Sequence, residues 1–202
     1  MTRKRGRPLN FDKELALKKA MDIFWTKGFE GTQLVDLTAV MGINPPSFYA
    51  AFGSKFNLFC EAVQLYIETV GNKTVNALND AKTTKEGLKA MLENSIINAS
   101  SNEAGGCLMI MGVVNNRAEN YPAWEYLREE RAKTLTLIQL RIERGIMEGD
   151  LPKNTDSKTL AEYFLGITQA ISFQARDGVS KNTLQRLIEP ALAALPSPKT
   201  LE

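Results

Sequence analysis

"GINPPSFYAAFGSKFNLF", residues 42–59, decides how this chain is read. Two adjacent prolines, Pro45 and Pro46, stand just ahead of an aromatic pair, Phe48 and Tyr49. Proline breaks a helix interior but is tolerated in the first turn, where the backbone N–H has no intrahelical partner. Asn44 can then cap the N–H of Ser47, the first free donor after both prolines. Gly53-Ser54 interrupts the segment, and Phe56, Phe59, Cys60 and Val63 open a new apolar stripe at helical spacing. The stretch predicts a short helix from about residue 44 with a stiffened first turn, then a glycine break, then a helix capped by Ser54.

Upstream, Leu17, Ala20, Met21 and Phe24 recur at helical spacing, which predicts a helix over about 12–27 stopped by Gly28. Thr32 is a good N-cap for a short helix with Leu34, Leu37 and Met41 on one face, ended by Gly42. A longer helix followed by two short ones across a glycine turn is the helix-turn-helix arrangement, here covering about 33–52. The second helix of such a pair offers its N-terminal residues to a DNA major groove.

The rest of the chain also reads as helices. No stretch combines sustained period-two alternation with β-branched enrichment, so the expected fold class is all-α. "KEGLKAMLENSIINAS" reads as one helix, and "GGCLMIMGVVNN" as a compact apolar segment. A long helix follows from about Tyr121 or Trp124 to Met147, ended by Gly149 and Pro152, then another over about 156–176 capped by Asp156. The final helix is expected as one piece over 182–195, with Leu184, Leu187, Ile188 and Ala191 as its stripe.

Composition narrows the function. The 202 residues include no histidine, which removes Ser-His and Cys-His catalysis and the commonest transition-metal ligand. The two cysteines, Cys60 and Cys107, make neither a disulfide framework nor a four-ligand zinc site. No catalytic residue, metal or cofactor is expected. No apolar run approaches a membrane span, and the basic start lacks the apolar stretch of a secretory signal, so the expectation is a cytoplasmic protein.

Net charge is +2, yet residues 1–10 hold Arg3, Lys4, Arg5 and Arg7 and no acid. The positive charge is therefore concentrated in an arm suited to a polyanion, although a solubilising tail is the plainer reading of such an arm. Residues 71–202 hold 16 basic and 16 acidic residues, so that part is neutral.

Residues 11–59 resemble the DNA-binding domain of the TetR family of bacterial transcriptional regulators. The resemblance rests on Phe24, Gly28, Gly31-Thr32, Leu37, Gly42-Ile43, Ser47, Tyr49, Phe52, Ser54-Lys55 and Leu58, in matching order and spacing. It implies phosphate contacts at Thr32 and Gln33, and base and backbone contacts through Asn44, Pro45, Pro46, Ser47, Tyr49 and Ala50. It also implies a phosphate pairing for Lys55. Val35, Ala50 and Ala51 depart from the family pattern. The recognition helix is poor in bidentate hydrogen-bonding groups, so base reading is expected from apolar contact of Pro45, Pro46 or Ala50 with thymine methyls. "RGRP" at residues 5–8 resembles an AT-hook core, which suits a narrow A·T-rich minor groove.

The remainder resembles the effector-binding and dimerisation half of one branch of this family, carried by Gly106-Cys107-Leu108 and "LAEYFLGITQAISFQARDGVSKNTLQRLIEPAL". With the charge-defined arm at 1–10, the expected organisation is a DNA-binding domain at 11–70 and an effector-binding and dimerisation domain at 71–200. It implies a homodimer in which the last two helices of each copy form a four-helix bundle through Leu160, Phe164, Ile167, Ile171, Leu184, Leu187, Ile188 and Ala191. It implies a pocket for an apolar small-molecule effector, lined by Cys107, Met109, Ile110 and Met111 with Trp124, Tyr126, Phe164 and Phe173 opposite. Plain core packing is the competing reading for each of these residues. The expected function is a repressor released from a palindromic operator by its effector. The alternatives are an architectural or low-specificity DNA binder, or a small-molecule-binding helical bundle with an incidental arm.

Overall fold

A computed structural model describes residues 11–101 and 105–196. Arg3, Lys4, Arg5 and Arg7 lie outside the described residues, and so does the expectation placed on them. Every element among the described residues is helical: α1 (Lys13–Gly31), α2 (Leu34–Met41), α3 (Pro45–Phe52), α4 (Lys55–Tyr66), a π-helical turn (Ile67–Gly71), α5 (Asn72–Asp80), α6 (Thr84–Ala99), α7 (Leu108–Met111), α8 (Tyr121–Glu148), α9 (Ser157–Arg176), α10 (Lys181–Gln185) and α11 (Ile188–Leu192). None is long and apolar enough to cross a membrane.

The caps explain why the helices start where they do. Asp12 accepts the N–H groups of Glu14 and Leu15, Ser54 that of Asn57, and Asp156 that of Thr159. Thr83 and Glu86 bond each other's backbone N–H in a capping box at the start of α6. Gly28 breaks α1 at φ 70° and ψ 174°, a conformation that only glycine adopts readily.

Two cores result. One joins α1 to α4 around Phe24, Phe48, Phe52, Leu58 and Phe59, and draws in Leu108, Val113, Ala123 and Leu127 from further along the chain. The other joins α5, α6, α8, α9, α10 and α11 around Leu88, Leu92, Ile96, Ile138, Ile142, Phe164 and Leu184. Arg141 is fully buried, and its guanidinium closes the end of α5 by donating to the carbonyls of Leu78 and Ala81 and to the Thr84 hydroxyl.

The last helix is two pieces, because Pro190 cannot donate to the carbonyl of Arg186 and so restarts the helix as a first-turn residue. Tight bonds from Arg186 N to Thr183 O and from Leu187 N to Leu184 O form the turn between them. Leu184, Ile188 and Ala191 are buried within their own chain, as are Phe164 and Ile171. That part of the expected dimer stripe is intramolecular core, and Leu187 also packs partly against it.

Candidate nucleic-acid interface and cavity

α3 divides its residues cleanly. Phe48 and Phe52 are buried in the first core, while Asn44, Pro45, Pro46, Tyr49 and Ala50 face solvent and Ser47 is half-buried. Asn44 caps the helix by accepting Ser47 N–H at 2.9 Å, with Pro45 and Pro46 as the first two helical residues. The prolines thus fix the leading turn of an exposed helix without leaving a donor orphaned. Tyr49 is 54% exposed, with its ring set edge-on against Phe48 at 5.4 Å.

The entry to α2 differs from expectation. Thr32 is fully buried and its hydroxyl donates to the Gly28 carbonyl at 2.6 Å, so this side chain cannot reach a phosphate. Gln33 is the N-cap instead, exposed, with its N–H donating to the Asp36 carboxylate at 2.8 Å. That bond, with Lys27 at 2.9 Å beyond it, holds the Asp36 carboxyl below its ordinary value. The Lys27 ammonium also offsets the Asp36 charge beside Gln33.

Lys55 is turned inward. Its ammonium donates to the carbonyls of Phe29 and Thr32, both at 2.9 Å, and lies 4.2 Å from the centre of the Phe29 ring. Two of its three donors are thus spent on bracing the start of α4 against the α1–α2 turn. Burial pushes its pKa down, with Glu30 acting the other way.

Between α4, α5, α6, α8 and α9 lies a cavity of about 260 Å³. Cys107, Met109 and Ile110 line it, in keeping with the expectation from the sequence. Met111, Trp124, Tyr126, Phe164 and Phe173 do not. Phe164 is core, Trp124 stacks with Tyr121 and Arg128, and Phe173 is exposed. Tyr126 instead accepts a bond from Gln64 at 2.6 Å, across α4 and α8. The lining also includes Tyr66, Ser95, Asn98, Glu130, Arg131, Thr134 and Thr168, which sequence reasoning missed. Their signal was weak because a polar residue on one helix face normally marks solvent.

Comparisons with known proteins fit this geometry. The family model described as "Bacterial regulatory proteins, tetR family" matches residues 16–62, and "Tetracyclin repressor-like, C-terminal domain" matches residues 84–190. The chain belongs to the TetR family. It is similar to the HTH-type transcriptional repressor ComR of Escherichia coli strain K12, at 30% identity over 95% of this chain and 92% of ComR. The repressor BdcR of the same organism is 36% identical over 54% of this chain and 55% of its own length. Among solved structures, a cysteine mutant of the TetR family regulator CifR, complexed with 26 bp double-strand operator DNA, superposes with a TM-score of 0.90. That similarity is at 38% identity and covers 95% of this chain and 100% of the CifR chain.

As a TetR-family member the chain is a DNA-binding transcriptional regulator with an N-terminal helix-turn-helix domain. Hydrogen bonds link α1 to the cavity wall and to the end of α9. Trp25 Nε1 donates to the Gly106 carbonyl at 2.8 Å, and Phe29 N to the Gly112 carbonyl at 2.7 Å. Arg176, at the end of α9, donates to the carbonyls of Trp25 and Thr26. The segment between Gly106 and Gly112 carries the cavity residues Cys107, Met109 and Ile110.

Proposed function

We propose that this TetR-family regulator is a homodimeric repressor, in which α3 of each subunit occupies a major groove of a palindromic operator. A small molecule bound in the 260 Å³ cavity releases it. The observation that carries the reading is α3 itself. Its buried face serves the core, and Asn44, Pro45, Pro46, Tyr49 and Ala50 present an exposed face, with Asn44 also capping the helix. Residues 1–10 act as the arm, 11–70 as the reading head, and 71–200 as the effector and dimer unit. The protein works in the cytoplasm with its operator, and the reading assigns no catalytic residue and no cofactor.

Dimerisation is best supported on α9. Tyr163, Gly166, Ile167, Ala170 and Phe173 recur at helical spacing along its outer face, with Tyr163 and Phe173 exposed. A Cβ added at Gly166 would meet nothing within 4 Å, so its own chain does not explain the missing side chain. Close approach of a second α9 does explain it. Leu160, half-buried, borders the same face.

Release follows from linkage. A ligand that presses on Met109 or Ile110 acts on the segment whose carbonyls hold α1 at Trp25 and Phe29. Release requires the ligand to prefer the dimer geometry that no longer fits both half-sites. The test is selection of duplexes from a random pool by the full-length chain, followed by footprinting. A palindrome with half-sites spaced by about one helical turn or a multiple of it, roughly 34–36 Å per turn, is expected. Enrichment of no common sequence would refute specific recognition and favour an architectural binder.

A further inference from the structure

The cavity lining also indicates what kind of molecule fits, and this inference rests on reading the cavity as the effector site. Its walls are largely apolar, built from Val75, Met91, Ile110, Leu137 and Leu165 among others. Most polar groups there already donate their hydrogens. Ser95 donates to Met91 O, Thr134 to Glu130 O, Thr168 to Leu165 O, Asn98 to Thr74 Oγ1, and Tyr66 to Cys107 Sγ. Those hydrogens are committed, which leaves these groups chiefly as acceptors toward a ligand.

The charged groups behave differently. Glu130 and Lys133 pair at 2.6 Å and offset each other. Arg131 remains. Its guanidinium makes one hydrogen bond, from Nη1 to the Met109 carbonyl at 2.7 Å, and has no carboxylate partner among the described residues. Burial pushes its pKa down, Cys107 acts the other way, and Arg128 adds to the downward push. A half-buried cation without a counter-ion is costly, and a guanidinium holds a planar carboxylate through two parallel bonds. One unpaired cation beside the buried Glu130 suits a single negative charge, not a dianion.

Size sets the rest. An apolar cavity of about 150 Å³ accommodates benzene, so one of about 260 Å³ takes a molecule of roughly ten heavy atoms. We propose that the cavity binds a small monocarboxylate with an apolar body, its carboxylate held by Arg131 and its tail among Val75, Met91, Leu137 and Leu165. The lone guanidinium selects the charge, and the apolar walls select the body.

The experiment is calorimetric titration of the full-length protein, without DNA, using octanoate and 3-phenylpropionate against the neutral 1-octanol and 3-phenylpropanamide. The acids are expected to bind at least about tenfold more tightly than their neutral counterparts. Arg131→Gln should erase that preference, and Arg131→Lys should keep part of it. Because Arg131 also holds the Met109 carbonyl, a second variant, Leu165→Trp, fills the cavity with Arg131 intact and should abolish binding of every probe. Equal binding of acids and neutrals, no binding of either, a preference that survives Arg131→Gln, or binding unaffected by Leu165→Trp would each overturn the proposal. Operator release is measured separately. An acid that binds through Arg131 without releasing DNA leaves the ligand class standing and sinks the effector reading. A releasing molecule indifferent to Arg131→Gln does the reverse.

Discussion

Trp25 donates its indole N–H to the carbonyl of Gly106 at 2.8 Å, across 81 positions of sequence. Gly106 adjoins Cys107 in the cavity wall, and Trp25 lies one turn before the Gly28 break in α1. Helix α1 is therefore tied by hydrogen bonds to the segment that carries cavity residues. Trp25→Phe keeps a ring against Tyr66, whose own ring is 4.9 Å away, but leaves the buried carbonyl unpaired. A stability loss of about 1–3 kcal/mol is expected in urea unfolding, and an unchanged midpoint would show the bond to be dispensable.

Phe164 and Phe173 lie on the same helix with opposite fates. Phe164 is fully buried in the second core, and Phe173 is 45% exposed on the outer face of α9. Phe164→Ala should cost about 3–5 kcal/mol of stability. Phe173→Glu should leave the fold intact and shift sedimentation from dimer to monomer. A Phe173→Glu protein that remains dimeric would remove this face from the interface.

The contrast shows what the sequence could carry. Helical periodicity located α1–α4 and α9 because each stripe answers to its own helix's burial. The same periodicity could not tell which stripe meets its own chain and which meets a copy. Leu184, Ile188 and Ala191 read as one stripe and turned out to be core, whereas Gly166, absent from any stripe, marks the outer face. Asn44 as cap of α3 was legible because capping is local. Thr32 was misplaced because its bond to Gly28 depends on the kink, and the inward turn of Lys55 depends on carbonyls more than twenty positions away. Arg131 lay hidden for the same reason, since a charge on a long helix normally faces water.

Cys60 bears on whether this protein senses oxidants through a reactive thiol. Burial pushes its pKa from an ordinary 9.0 to about 11, with its backbone hydrogen bond acting the other way and Glu130 adding to the rise. The folded state therefore holds the proton more tightly than the unfolded chain. Stability from this group is intact below pH 9 and declines as pH rises from about 9 toward about 11. Site-resolved mass spectrometry of iodoacetamide labelling should place the midpoint for Cys60 near pH 11. A midpoint at or below about 9 would identify an activated thiol instead.

The basic arm, with Arg3, Lys4, Arg5 and Arg7, predicts a salt signature. Deleting residues 2–7 should flatten the slope of log affinity against log salt by about 0.9 for each phosphate that the arm no longer neutralises. Arginines in a narrow minor groove should make the affinity loss larger on A·T-rich than on G·C-rich flanks. Equal slopes with and without the deletion would identify a solubilising tail.

The exposed face of α3 is the centre of the account, and Tyr49 is its most telling residue, exposed and without a core role. The most direct measurement is the affinity of Tyr49→Ala for the selected operator by fluorescence anisotropy, with sedimentation and circular dichroism run on the same sample. The account predicts at least about a tenfold loss, the size expected when a hydrogen bond to a charged phosphate and its ring packing are removed, with fold and dimer unchanged. Operator affinity within about twofold of the parent protein would contradict the placement of α3 in the groove.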